Sequence, residues 1–221
     1  MNVGDALLKR KSTRAFSDQE VSIEMIREIL DAARHAPSGV NTQPWQVAVV
    51  TGGKKRRLCS LMEKQFRTEG KGTADYSYYP DEWVDPYRGR RKTCGLQMYS
   101  TLNIGRDDKQ KQLDQWAANY RAFDAPVALF FFIDPVLNRG SYIDYGLFLQ
   151  SIMLVAVEKG LATCPQAALG EYPDIVKGEL GYPQECILIG GMAMGYEDKG
   201  ALVNSYRTDR QEVDEFARFF A

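Results

Sequence analysis

Histidine is almost absent from this chain: His35 is the single one among 221 residues. A zinc site would have to be assembled from distant cysteines and carboxylates, and a Ser–His–Asp site would hang on His35 alone. His35 closes a helix just before Pro37, where capping or pairing with the helix dipole is its expected role. Cysteine is scarce too. Cys59, Cys94, Cys164 and Cys186 have neither metal-ligand nor redox spacing, and four are too few for a disulfide framework at this length. Excess positive charge is missing: 28 Lys+Arg against 29 Asp+Glu leaves −1, without the footprint of a general nucleic-acid binder. No Gly-x-Gly-x-x-Gly follows a strand, and no Gly-x-Ser-x-Gly occurs. The nearest approach to a phosphate loop, residues 195–200, meets Ala201 where a lysine is needed. The most apolar stretch, residues 142–161, carries Asp144, Gln150, Glu158 and Lys159, which argues against a membrane span. The first residues show no basic stretch followed by an apolar core, so no secretory signal is read. These absences lead to the expectation of a reduced, cytoplasmic protein with no metal and no nucleic-acid or membrane partner.

What is present is ordinary for a globular chain: 44% hydrophobic and 26% charged residues, in a length that buries a core unaided. Residues 3–9 form a short helix candidate. Ser22 caps a stronger one, in which Ile23, Ile26, Ile29, Leu30 and Ala33 recur at three- and four-residue intervals until residues 37–39 stop it. Residues 46–51 read as a strand, 54–67 as a charged helix and 109–120 as another helix. The continuous apolar runs 126–133 and 186–194 suit strands buried on both faces. Between them, residues 142–159 are apolar nearly all round, so this helix is central to its domain or buried against a partner subunit. Residues 70–106 hold Tyr76, Tyr78, Tyr79, Trp83, Tyr87 and Tyr99 without either period, as a lid, a partner-contacting excursion or a mobile surface insertion would. A short amphipathic tail runs over 213–220. No repeat or linker divides residues 1–221, which are expected to form one α+β domain, a small mixed sheet surrounded by helices.

The chemistry-bearing residues gather at the two ends. Arg10, Lys11, Ser12 and Arg14 offer cationic donors and a hydroxyl within five residues, and Arg207 and Arg210 add two more guanidinium groups. A phosphomonoester carries nearly two negative charges, and each charge-assisted bond to it contributes roughly 1.5–3 kcal/mol. Taken alone, basic residues at loop ends are more often solvated surface. A second cluster, residues 36–45, packs two prolines, a glycine and two carboxamides into a rigid turn, which could be a plain helix-to-strand connector.

Taken together, Arg10-Lys-Ser-Thr-Arg14-Ala-Phe16 and Ala36-Pro-Ser-Gly-Val-Asn-Thr-Gln-Pro-Trp45 resemble the opening of the FMN-dependent nitroreductase family. The resemblance continues through Asp144-Tyr-Gly-Leu-Phe-Leu-Gln150, Gly160-Leu-Ala-Thr, Gly190-Gly-Met-Ala-Met-Gly-Tyr196 and Arg207-Thr-Asp-Arg210. It implies an intertwined homodimer with FMN at the subunit interface. Arg10 and Ser12 would hold the phosphate and ribityl end, with Lys11 contributing backbone or charge. Arg207 and Arg210 match the C-terminal phosphate ligands, and Arg14 would lie towards the N1/C2=O edge of the ring. Pro37, Ser38, Gly39 and Asn41 would reach the same flavin from the other subunit. Pro165, Gln166, Ala167 and Ala168 stand where the family places a backbone N–H facing flavin N5; some members carry an acidic residue at the position of Ala167. The implied reaction is ping-pong: NADH or NADPH reduces the flavin, which then passes two electrons to a nitroarene, quinone or similar acceptor, with no side-chain acid or base. Tyrosines and Trp83 of the 70–90 region are candidate walls for the acceptor slot. A same-fold dehalogenase, dehydrogenase or flavin-breaking enzyme, and a non-catalytic flavin-binding module, remain as alternatives.

Overall fold

The computed structural model describes residues 1–220. Its frame is a sheet in the order β1 (Gln46–Thr51), β2 (Val127–Ile133), β4 (Ile187–Gly195), β3 (Ala162–Gln166). All three ladders are antiparallel, and among the described residues parallel pairing is confined to the isolated bridge between Ser12 and Thr163. The α+β class therefore stands, and the mixed character expected of the sheet reduces to that one bridge.

The apolar run of β2 is explained by its central position, since it is buried at every residue. Successive side chains point to opposite faces of the sheet. Ala128, Phe130 and Phe132 pack with Leu58, Met62 and Phe66 of α3 (Gly52–Glu69). Leu129, Phe131 and Ile133 pack on the other face with Ile26 and Ile29 of α2 (Ile23–Ala33) and with Phe148 and Ile152 of α6 (Arg139–Glu158). Ser22 caps α2 as expected, its hydroxyl accepting from the Met25 amide at 3.1 Å. Tyr145 ties α6 to the sheet by donating to the carbonyls of Gln46 and Phe132 at 2.9 and 3.1 Å.

Helix α6 is long and apolar enough to cross a membrane by length and composition, with a mean hydropathy of 1.3. One face packs on the core through Tyr145, Phe148, Ile152 and Ala156. The other leaves Ile143 at 71% and Leu147 at 44% exposure, so the chain itself does not cover it.

Strand β3 and the 70–106 excursion escape the periodicity argument. β3 is a short edge strand whose Pro165 lacks an amide hydrogen, tolerable only at an edge. Within the excursion, α4 (Tyr87–Thr101) has no fully buried residue, so no apolar stripe marks it in the sequence. The root of the excursion is nonetheless fixed. The Asp75 carboxylate accepts from the Leu188 amide and pairs with the buried Lys177 ammonium, both at 2.8 Å, while the Tyr76 hydroxyl donates to the Ile189 carbonyl at 2.9 Å. At the far end, the Gln97 amide donates to the Arg207 carbonyl at 2.9 Å.

Gly190 and Gly191 of β4 let the turn Ala167–Gly170 lie directly on the sheet. A Cβ on Gly191 would stand 2.6 Å from Leu169 Cδ1 and 2.7 Å from the Leu129 carbonyl; one on Gly190 would stand 2.9 Å from the Gln166 carbonyl. Gly191→Ala is expected to destabilise the fold by about 1–3 kcal/mol through overpacking. Urea denaturation checks this, and an unchanged midpoint would contradict the close approach.

Candidate functional site

Arg10, Lys11, Ser12 and Arg14 follow α1 (Val3–Lys9) in an extended segment pinned to β3 by the Ser12–Thr163 bridge and by the Thr13 amide donating to the Thr163 carbonyl at 3.0 Å. Asn204, 4% exposed, sews the C-terminal segment against it. Its side-chain oxygen accepts from the Arg14 amide at 2.8 Å, and its amide nitrogen donates to the carbonyls of Ala15 and Asp198 at 2.8 and 2.9 Å. Its own carbonyl accepts from the Lys11 ammonium.

The stitching brings the two ends of the chain to one cavity of about 440 Å³, lined by Arg10, Ser12, Arg14, Arg207 and Arg210 together with Gln150. Among the described residues, no carboxylate pairs with any of these guanidinium groups. Arg207 donates to the carbonyls of Leu8, Lys9 and Arg10, and Arg210 to Thr208 and Asp209, bonds that orient their charges without neutralising them. The crowding registers on Arg10: burial, then the charges of Arg210 and Arg207, hold its pKa below the ordinary value. Like charges brought this close are the electrostatics of an anion site.

Lys11 is placed differently. It too lines the cavity, but its ammonium pairs with Glu197 at 2.7 Å, so its charge is already matched.

Arg14 also lines two further cavities, of about 550 and 440 Å³, so the three share its side chain as a wall. The second of these reaches Pro165, Gln166, Ala167 and Ala168, the shelf that Gly190 and Gly191 seat on the sheet. Gln166 is buried with its carbonyl oxygen unpartnered, although its amide nitrogen donates to the Asn119 carbonyl at 2.9 Å. Trp116 Nε1, on the same wall, is likewise without a partner. A cavity ringed by guanidinium groups without carboxylate partners, adjoining one bounded by Pro165, Gln166, Ala167 and Ala168, fits a phosphorylated ring system such as FMN. Cys164 beneath it is no nucleophile: burial pushes its thiol pKa to about 11.

Pro37, Ser38, Gly39 and Asn41 do not reach this cavity in their own chain. They form an outward loop held by the Asp144 carboxylate, which accepts from the Gly39 amide at 3.2 Å, and by Ser38 Oγ, which accepts from the Gln43 amide at 2.9 Å. Val40, Asn41 and Gln43 all have positive φ, and Val40 is 98% exposed. A β-branched residue at φ 46° is strained, and such strain gathers at binding loops. His35 lies exposed after α2, outside the cavity.

Sequence reasoning missed Asn204, Gln150 and the cavity-lining Tyr206 and Cys94. Asn204 directly precedes the Ser-Tyr-Arg run, and only its contacts across 190 positions of chain reveal its task.

Residues 7–196 match the model of the family described as "Nitroreductase family". The chain is 35% identical over 218 residues, 98% of itself and 96% of the relative, to a nitrobenzene nitroreductase of Ectopseudomonas oleovorans. It is 37% identical over 211 residues, 95% and 92% of the two chains, to a 4-nitrobenzoate reductase of Pseudomonas putida. The crystal structure of the FMN and NADPH-dependent nitroreductase NfnB from Sphigopyxis sp. strain HMH superposes with a TM-score of 0.95 at 37% identity, covering 100% of both chains.

Asn204→Ala should lower the unfolding free energy by about 2–4 kcal/mol, since it strips partners from buried backbone groups. Urea titration of the ligand-free protein measures this; a loss well under 1 kcal/mol would remove Asn204 from its stitching role.

Proposed function

Since the chain belongs to the nitroreductase family, we propose that it is an FMN-dependent oxidoreductase that takes two electrons from NADPH or NADH and delivers them to nitroaromatic, quinone or similar acceptors. The observation that carries this reading is the set of guanidinium groups without carboxylate partners, gathered from both ends of the chain around one cavity.

Arg10, Arg210 and Arg207 supply positive charge for the phosphate, and Ser12 a hydroxyl beside it. Arg14 stands between the phosphate cavity and the shelf. There its charge would favour electron uptake by a ring laid across it. The Ala167 backbone offers an N–H at the shelf; its methyl group adds no acid or base. When bound, FMN supplies the hydride-accepting and hydride-donating chemistry. The chain's task is to bind, orient and set the field, through the guanidinium groups and backbone that line the two cavities.

The reading includes a homodimer. The uncovered Ile143 and Leu147 of α6 and the exposed Val40 provide apolar surface for a second copy, and the loop of Pro37, Ser38, Gly39 and Asn41 lies outside its own cavity, where a second copy's cavity would receive it. Residues 70–106, anchored at Asp75 and Tyr76, form a cover over the second half of the space. Four free cysteines accord with a reducing, cytoplasmic setting.

Purified protein is expected to be yellow and to bleach with NADPH or NADH under nitrogen; a colourless protein that cannot retain added FMN would end the proposal. Arg10→Ala should weaken FMN binding by about 1.5–3 kcal/mol, read by fluorescence titration. Light scattering should give twice the 25.0 kDa chain mass, and a monomeric holoprotein would contradict the shared site.

A further inference from the structure

The far cavity holds charge that FMN binding does not use. Lys71, just after α3, and Arg91, on α4, approach it from the root and the helix of the excursion. The Lys71 ammonium lies 3.9 Å from the centroid of Trp116, and the Arg91 guanidinium 5.3 Å from that of Trp83. Neither has a carboxylate partner among the described residues, in contrast to Lys54 and Arg57, which share Glu179. An indole face holds a cation in position without cancelling its charge, so both remain available to an incoming anion. The one acidic residue lining this cavity, Glu171, accepts from the Tyr120 hydroxyl, and its single negative charge is outnumbered by Lys71, Arg91 and Arg14. Flat aromatic walls flanked by cations suit a planar ring with an anionic substituent.

We propose that Lys71 and Arg91 form an anion clamp at the acceptor slot, selecting aromatic acceptors that bear a carboxylate over neutral ones. The inference rests on the nitroreductase reading and adds to it the acceptor class. The relatives named above differ on this point, one acting on nitrobenzene and the other on 4-nitrobenzoate. The charge on this wall places the chain with the second kind.

The experiment compares the FMN-loaded wild type with Lys71→Gln, Arg91→Gln and the double variant. One readout is the ratio of kcat/KM for 4-nitrobenzoate to that for nitrobenzene. The other is the Kd of benzoate by calorimetry, which needs no turnover. The double variant should reduce the ratio and weaken benzoate about 10-fold or more, whereas Lys71→Arg, which keeps the charge, should leave both close to wild type. Because both cations are exposed, raising the salt concentration should shrink the wild-type preference. A ratio and a benzoate Kd that stay put in the double variant overturn the clamp. So does a raised KM for NADPH with an unchanged ratio, which would assign the two cations to the nucleotide's phosphates. If wild type reduces neither nitro compound nor a quinone, the proposed function fails, while benzoate binding still decides for or against the clamp.

Discussion

Guanidinium groups from distant parts of a chain stay around one cavity only if the backbone behind them is held firmly enough to resist their mutual repulsion. Here the restraint is a small set of hydrogen bonds between the two ends. Asn204 satisfies three backbone groups from the interior, and Arg207 satisfies the carbonyls that α1 leaves open at its C-terminus. The depressed Arg10 pKa marks the residual cost of the arrangement, a cost that a dianion offsets. Cofactor affinity and the joining of the termini are thus one energetic problem.

The other half of the site depends on steric contact. The turn Ala167–Gly170 reaches the sheet because β4 presents two glycines, and a side chain at either would push the turn away. The shelf is set by backbone packing, so its chemistry can rest on a main-chain N–H and tolerate alanine at 167. The cations that remain in the excursion then have latitude to serve acceptor choice, since neither holding the phosphate nor building the shelf requires them.

Much of this was legible in the residues. β2 declares itself by seven consecutive buried apolar positions, α2 by its capped three-and-four spacing, and α6 by an apolar character that one chain cannot bury. The arginines at both ends announce an anion, and their meeting became an expectation only through the family resemblance. What stayed hidden lacks a local pattern. α4 has no buried stripe, β3 is five edge residues with a proline, and Asn204 works through partners far away in sequence. Lys11 shows the converse: its charge reads as a phosphate donor until the fold supplies Glu197.

Arg207 touches the carbonyl of Arg10, a residue 197 positions earlier. The two halves of the proposed phosphate site thus lie at opposite ends of the chain. A chain ending before Arg207 would keep all four strands of the sheet, the last of which ends at Gly195, yet lack both C-terminal arginines of that cavity. On the proposed reading, a bound phosphate would tie residues 10–12 to residues 207–210, so cleavage ahead of Arg207 would release the flavin before it opened the sheet.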